Sequence, residues 1–387
     1  MKKFLLGKAP FVRSTDTNGP STNRIMIDVL IALAPIVIFA WIKNGLLPWQ
    51  NDLTVTFWQN DLTVTFWQMI YPLVLVLVGA LSSFVFEAAY FGLVLKTKGF
   101  KNILTKTWYS FAIIPGIILA LLLPLQTGIG VLVFGCFLAN IVFKMLFGGF
   151  GHNIFNPALI AYAILFVSFG LGSSSLNLNP TEALNVTSGS TPLGNFGSVS
   201  TISYETVVAP YGNLFDFFLG MVPGCLGATS GLLCVVAYVY LVARKVINWK
   251  VPAIYVATFA LVSLGIALVN GYGAWYALFN VLSGGLLFGA VFMATEPVTT
   301  PKNPIASILF AVGLGILTGL FRYCGMYPDG VATGILVMCM FTPVLDRFGA
   351  VIGARRFDKK AIIKLGCVAV LYAGIAAYVI LSAGGAN

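Results

Sequence analysis

Charge is what this 387-residue sequence has least of: Asp, Glu, Lys and Arg make up 9% of it, against 59% hydrophobic residues. So few charged side chains cannot cover a water-facing surface of this size. A mean hydropathy of +0.94 and repeated apolar blocks near twenty residues fit a hydrocarbon core about 30 Å thick, crossed by helices that satisfy their own backbone. The sequence therefore specifies a polytopic membrane protein. Histidine occurs once, at His152, and the six cysteines (Cys136, Cys225, Cys234, Cys324, Cys339, Cys367) are scattered without a CxxC pair. That excludes a metal centre or iron–sulfur cluster built by this chain alone. No GxGxxG follows a strand-like run, so a dinucleotide-binding unit is absent too. The net charge of +10 does not indicate nucleic acid, because the basic residues gather between the apolar blocks, as topology signals do. No apolar run occurs before residue 25, and that run is long enough to span, so no cleavable signal peptide is expected.

The expected spans are 25–43, 69–95, 110–124, 127–147, 157–171, 227–243, 251–270, 275–294, 304–321, 331–345 and 361–383. Basic residues at the N-terminus, in the 96–106, 244–250 and 347–360 connections, and at Lys144, Lys302 and Lys364 all fall on one side. Of the 22 Lys and Arg residues only Lys43 and Arg322 fall opposite. The positive-inside rule then puts the N-terminus in the cytoplasm and the connection Gly172–Gly212, which carries Glu182 and Glu205 and no basic residue, outside. Residues 1–24 form a cytoplasmic segment, 25–171 a first membrane repeat, 172–226 an extracytoplasmic loop and 227–346 a second repeat. Residues 347–387 add a basic loop and an eleventh span.

The third span is interrupted by Pro115 and Gly116 and the eighth by Gly284 and Gly285. Likewise "GHNIFNPALI" opens the fifth and "YPDGVATGIL" the tenth. Because these pairs are offset by five spans, an odd number, they predict an all-α membrane fold with a ten-helix core in an inverted five-plus-five arrangement. The competing account is that Gly and Pro are simply frequent in membrane helices. A different repeat is exact: "NDLTVTFWQ" occurs at 51–59 and again at 60–68, an insertion or a sequence error, with a strand-like alternation in "LTVTFW" that would suit a hairpin.

Several polar residues are candidates for chemistry. Glu87 lies inside the second span, where an unpaired acid costs roughly 2.5 to 3.5 kcal/mol on insertion scales, so it either lies on an ion path or reaches Lys96 or Lys98. Asp28 sits near the start of the first span beside Arg24 and reads as an interfacial carboxylate. Asn153 and Asn156 suit either a bound ligand's ring or the backbone of a broken helix. His152 suits a proton relay or a loop turn. Between Lys144 and Arg244 there is no basic residue, and the "TSGSTPLGNF" stretch at 187–196 lies in that interval. Gly189 lets the backbone bend and Pro192 restrains it, so the turn presents one hydroxyl outward or is a flexible Ser/Thr loop.

"NVTSGSTPL" resembles the flavinylation motif of membrane redox subunits that carry flavin mononucleotide (FMN) on a threonine. With "GHNIFNPALI", "FMATEPVTTP" at 292–301 and "YPDGVATGILV" at 327–337, in that order, the sequence resembles the D subunit of the Rnf electron-transport complex and its relative, the B subunit of the sodium-pumping NADH:quinone oxidoreductase. The resemblance covers roughly residues 10–350. It implies Thr191 as the FMN acceptor, flanked by Ser188, Gly189, Ser190 and Pro192, with a flavin transferase making the phosphoester. It also implies a noncovalent riboflavin, other membrane subunits including a second flavinylated one, and coupling of ferredoxin:NAD electron flow to sodium or proton export. Asn185 stands where the motif usually has Asp and Ser190 where it has Ala. Glu296 stands in place of Asp and, with Glu87, is an ion-pathway candidate. The rival class is a secondary transporter or channel without a redox cofactor.

Overall fold

A computed structural model describes residues 22–46, 62–125, 127–169, 192–193, 202–325, 329–354 and 359–384. The described residues form helices and no strands. α1 (Thr22–Trp41) and α2 (Leu62–Ala89) each pass into a π-helical turn, at Ile42–Leu46 and Tyr90–Val94. α3 (Phe100–Tyr109) and α4 (Ile113–Leu122) follow, then α5 (Ile129–Phe137) with its π-helical continuation Leu138–Met145, and α6 (Pro157–Phe169). After two short helices, α7 (Tyr204–Val207) and α8 (Leu214–Leu219), come α9 (Gly231–Ala243) and α10 (Lys250–Val269). α11 (Trp275–Leu282) and α12 (Leu286–Phe288, continued as a π-helix through Gly289–Met293) precede α13 (Pro304–Cys324), α14 (Val331–Ala354) and α15 (Lys359–Gly384).

Six of these helices are long and apolar enough to cross a membrane, and eight cross if each bent pair counts as one span. The bent pairs are α3 with α4, at 53°, and α11 with α12, at 61°. Three shorter apolar helices, Ile129–Met145, Pro157–Phe169 and Gly231–Ala243, occupy the remaining expected spans. The chain is thus a polytopic all-α membrane protein. α6 and α9 are short for about 30 Å of hydrocarbon, which is tolerated where neighbouring protein encloses the ends.

The first bend is not where proline suggested. The chain breaks at Ser110–Ala112, with Phe111 at φ +52°, whereas Pro115 sits in the first turn of α4, where its missing N–H would have had no partner. The second bend is at Ser283–Gly285, with Gly284 at φ +72°, as the two glycines predicted. The "LTVTFWQ" of the second duplicate is helical, opening α2, so the strand alternation yields to the apolar helix it leads into. The first copy lies outside the described residues. α14 runs to Ala354, well past the expected end at 345.

Within the first half α2 packs on α4 and α5, and within the second α10 packs on α11 and α13; between halves α1 meets α9 and α6 meets α14. Those cross-half pairs are the first with the sixth span and the fifth with the tenth. The α2–α4 crossing is close because both helices offer glycine. A Cβ on Gly116 would clash with the backbone of Gly79 and the hydroxyl of Ser83, and one on Gly79 would approach the Gly116 carbonyl oxygen to 2.7 Å. Close backbone approach at small residues is how membrane helices gain packing without a hydrophobic drive. Gly116→Ala is expected to destabilise the chain by about 1 to 3 kcal/mol, the usual cost of overpacking, seen as a lower melting temperature in detergent. An unchanged melt would mean that the crossing is looser than described.

Candidate functional site

α4 begins where α3 ends, and the carbonyl of Ser110 at the bend has no helical partner. It accepts a hydrogen bond from Lys144 Nζ at 2.7 Å. Lys144 lies in the π-helical part of the fourth span, is 2% exposed, and also pairs with Glu87 Oε2 at 2.9 Å. Glu87 is fully buried, so its charge is neutralised by Lys144 and not by Lys96 or Lys98, the partners that spacing on its own helix suggested. The pair leaves oxygen atoms over. Glu87 Oε1, Ser83 Oγ, Ser110 Oγ and Asn140 Oδ1 are buried without a hydrogen-bond partner. Ser83 precedes Glu87 by one turn of α2 and Asn140 precedes Lys144 by about one turn, which puts each on the face of its helix that carries the pair, and the Ser110 side chain also acts on Glu87. Buried oxygens without a partner call for water or another polar group.

A cleft adjoins this pair. Its walls are apolar, with Met26, Phe111, Ile114, Phe150 and Phe292 among them, and its polar groups are Lys144, Asn153, Asn156, Thr295 and Glu296. The loop that opens α6 supplies both asparagines. Asn156 Oδ1 accepts from the backbone N–H groups of Ala158 and Leu159, at 3.1 and 3.3 Å, and so caps the helix. Asn153 donates to Glu296 Oε1 at 3.4 Å while its own Oδ1 is buried and unpartnered. The structure thus divides two residues that the sequence treated alike: the oxygen of Asn156 serves the backbone, and that of Asn153 is open to a ligand. His152 is exposed at the rim of the same loop.

Glu296 lies in the connection after the eighth span and accepts from Thr299 Oγ1 at 3.3 Å. Burial raises its pKa to about 7, and the hydrogen bonds from Thr299 and Asn153 and the Lys144 charge oppose that rise. A carboxyl whose folded pKa lies above its unfolded value stabilises the fold below the unfolded pKa, near 4.5, and loses that contribution as pH rises to about 7. Thermal stability of the protein is therefore expected to fall between about pH 4.5 and pH 7. Glu296→Gln should flatten that slope; identical slopes for the two proteins would show that Glu296 does not titrate there.

The opposite side carries a counterpart. Arg322, on the ninth span, donates to the carbonyl of Asn280 just before the α11–α12 bend, to Asp329 O at 3.0 Å and to Asp329 Oδ1 at 2.8 Å. Its guanidinium lies 4.7 Å from the Phe259 ring, and Asp329 accepts from Gly285 N–H at the bend. Lys144 and Arg322 stand five spans apart, and each holds a carbonyl near a helix break. A second reciprocal pair clasps α1 and α9. Arg244, after α9, reaches Asp28 of α1 at 3.2 Å, joined by Tyr240, while Lys43, after α1, reaches Val222 O and Thr229 Oγ1 before α9, each at 2.7 Å. Arg244 and Tyr240, distant in sequence, hold Asp28, a contact that the sequence reading, which placed Asp28 beside Arg24, did not include. Lys43 and Arg322, the two exceptions to the charge bias, are buried and hydrogen-bonded to the protein; they serve packing and carry no topology signal.

Thr187, Ser188, Gly189, Ser190 and Thr191 lie outside the described residues. Pro192 and Leu193, which follow them, are helical, and Pro192 is buried. Leu193 packs with Val207, Val208, Phe217 and Phe279, and a side chain on Gly284 would collide with Leu193 and Asp329. The chain leaving the hydroxyl-rich run is therefore seated at the second helix break. Sequence reading missed the paired roles of Lys144 and Arg322; a basic residue near the end of spans 4 and 9 was the available signal. Among the described residues there is no group of three or more His, Cys, Asp or Glu able to hold a metal, and the cysteines are free thiols.

The NQR2, RnfD, RnfE family description matches residues 6–351, from before α1 to within α14. The chain is 30% identical over 349 residues to the D subunit of the proton-translocating ferredoxin:NAD(+) oxidoreductase complex of Clostridium ljungdahlii, covering 89% of this chain and 94% of that protein. It is 30% identical over 346 residues to the D subunit of the Na(+)-translocating ferredoxin:NAD(+) oxidoreductase complex of Acetobacterium woodii, covering 88% and 94%. The D subunit of the ion-translocating oxidoreductase complex of Stutzerimonas stutzeri is 34% identical over 262 residues, covering 61% and 73%. A match across both halves and every helix break makes this chain a member of the NQR2, RnfD, RnfE family.

Proposed function

We propose that this chain is the membrane D subunit of an ion-translocating ferredoxin:NAD oxidoreductase, relaying electrons through FMN esterified to Thr191 and coupling that flow to sodium or proton movement. The observation that carries the reading is the match over residues 6–351, which includes the TSGST run and both helix breaks. Leu193, two residues after Thr191 in the sequence, supports it by packing beside the second break. The extracytoplasmic placement of that loop, the bacterial inner membrane and the cytoplasmic N-terminus belong to the same proposal, as do maturation by a flavin transferase and assembly with other membrane subunits, one of them flavinylated. The NAD and iron–sulfur chemistry falls to partners, since this chain has neither motif.

A noncovalent flavin such as riboflavin is proposed for the cleft beside Lys144, because apolar walls suit a flat ring and Asn153 Oδ1 is unpartnered and could accept from a ring N–H. Flavins supply one- and two-electron transfer. In this proposal Asn153 orients the ring edge, Phe111, Phe150 and Phe292 keep water from it, and Glu296 holds or releases a proton beside it. The oxygens around Glu87 are the proposed ion path, with Lys144 setting the charge that a passing cation meets. Fluorescence of the denatured polypeptide on a gel tests the whole, for flavin that survives boiling in detergent is covalently held. A dark band from cells that also make the transferase favours the solute carrier instead.

A further inference from the structure

Among the described helices of the first half, α3 is the one that leaves the bundle. Its packing is against α2 and the π-helical turn that follows α2, through Ile103, which meets Gly92, and through Thr107, which is fully buried. At 3.6 residues per turn the rest of the helix divides into two further stripes. Phe100, Leu104 and Trp108 recur every four residues on one flank, with Phe100 76% and Trp108 57% exposed. Lys101, Asn102, Thr105, Lys106 and Tyr109 fill the opposite arc, all of them at least partly exposed.

A helix with one edge on protein, one apolar edge uncovered and one basic edge uncovered suits the boundary between acyl chains and headgroups. The chain just before it continues both stripes. Leu93, Val94 and Leu95 are exposed, and Lys96 and Lys98, which follow them, are exposed too. Lys106 Nζ reaches back to Thr97 Oγ1 at 3.2 Å, which draws it towards Lys96 and Lys98. No Asp or Glu occurs between Glu87 and Glu182, and Glu87 is sealed against Lys144, so no carboxylate on this stretch neutralises the four lysines. Fixed positive charge at an interface, beside an aromatic edge that sets its depth, complements the phosphate of an acidic lipid.

We propose that α3 and the preceding Lys96–Gly99 turn form a seat for acidic phospholipid headgroups on the basic side of the molecule. α3 slants away from α4 at the 53° bend, its Phe100, Leu104 and Trp108 edge toward acyl chains and its lysines on lipid phosphates. The seat adjoins the bend at Ser110, where Lys144 holds the free carbonyl. A lipid bound at α3 therefore steadies the bend that frames the cleft.

The full chain is purified and placed in nanodiscs of phosphatidylcholine with phosphatidylglycerol, and retained lipid is read by native mass spectrometry. Wild type is expected to keep phosphatidylglycerol over phosphatidylcholine. The variant K96Q/K98Q/K101Q/K106Q is expected to lose that preference by about fivefold per lysine, from roughly 1 kcal/mol for each basic residue at an anionic surface. The K96R/K98R/K101R/K106R variant, which keeps the charge, should retain it, and K250Q should not alter it. Equal retention by the glutamine variant and wild type overturns the proposal. So does a photo-crosslinker at Thr105 in the assembled complex that labels a neighbouring protein and no lipid.

Discussion

Thr191→Ala is expected to bring in-gel flavin fluorescence to background, whereas Thr187→Ala leaves it at the level of the parent. The proposed attachment is an ester to a hydroxyl oxygen, and alanine has none, so the expected loss is complete and is not a matter of affinity. Noncovalent flavin in the cleft is released by denaturation and contributes nothing to the band. The two substitutions lie four residues apart in the same hydroxyl-rich run, so a general disturbance of the loop would affect both. Electron transfer through the complex should fall with the fluorescence, since no other group in this chain is proposed to carry the charge past that point. A bright Thr191→Ala band with a dark Thr187→Ala band would move the acceptor by four residues. Two bright bands would remove it from the loop.

The second large effect belongs to Lys144 and Glu87. Breaking a buried ion pair by removing one partner leaves a bare charge and costs about 3 to 5 kcal/mol, while replacing both by apolar residues of similar volume is often neutral. Lys144→Met strands Glu87 and also takes away the donor to the Ser110 carbonyl. Glu87→Leu strands Lys144. Each single variant is expected to lose several kcal/mol in thermal unfolding, and the double variant Lys144→Met/Glu87→Leu is expected to recover much of that loss while abolishing ion coupling. The coupling energy comes from the cycle and not from either single change. Additive losses would show that the two groups are stabilised independently. A double variant that still couples ions would take the ion path away from Glu87.

Much of this was readable without coordinates. Apolar blocks separated by lysine-rich connections specified a polytopic helical protein, because nothing else satisfies a backbone in hydrocarbon. Gly284 and Gly285 announced one helix break. The other was harder to place, because proline is harmless in a first turn: Pro115 marked the neighbourhood, and the bend fell instead at Phe111, a residue whose positive φ no local pattern predicts. An acceptor in the 187–191 run is proposed from that run's resemblance to a flavinylation motif, and those residues lie outside the described ones. α15 lies beyond residue 351, where the family match ends, and packs on α10 and α13. Hydropathy found it but could not dock it.

The sequence determined by itself that this chain crosses a membrane many times and that its lysines and arginines gather between the apolar blocks. Those properties are set residue by residue, by the transfer of each side chain and backbone unit from water to hydrocarbon. Only the tertiary structure decided that Lys144 neutralises Glu87, that Arg244 reaches Asp28, and that Asn153 keeps a free oxygen while that of Asn156 caps a helix. Those outcomes depend on which helices touch. A buried charge takes whatever counter-charge the packing brings within about 3 Å, however far away in the chain it begins.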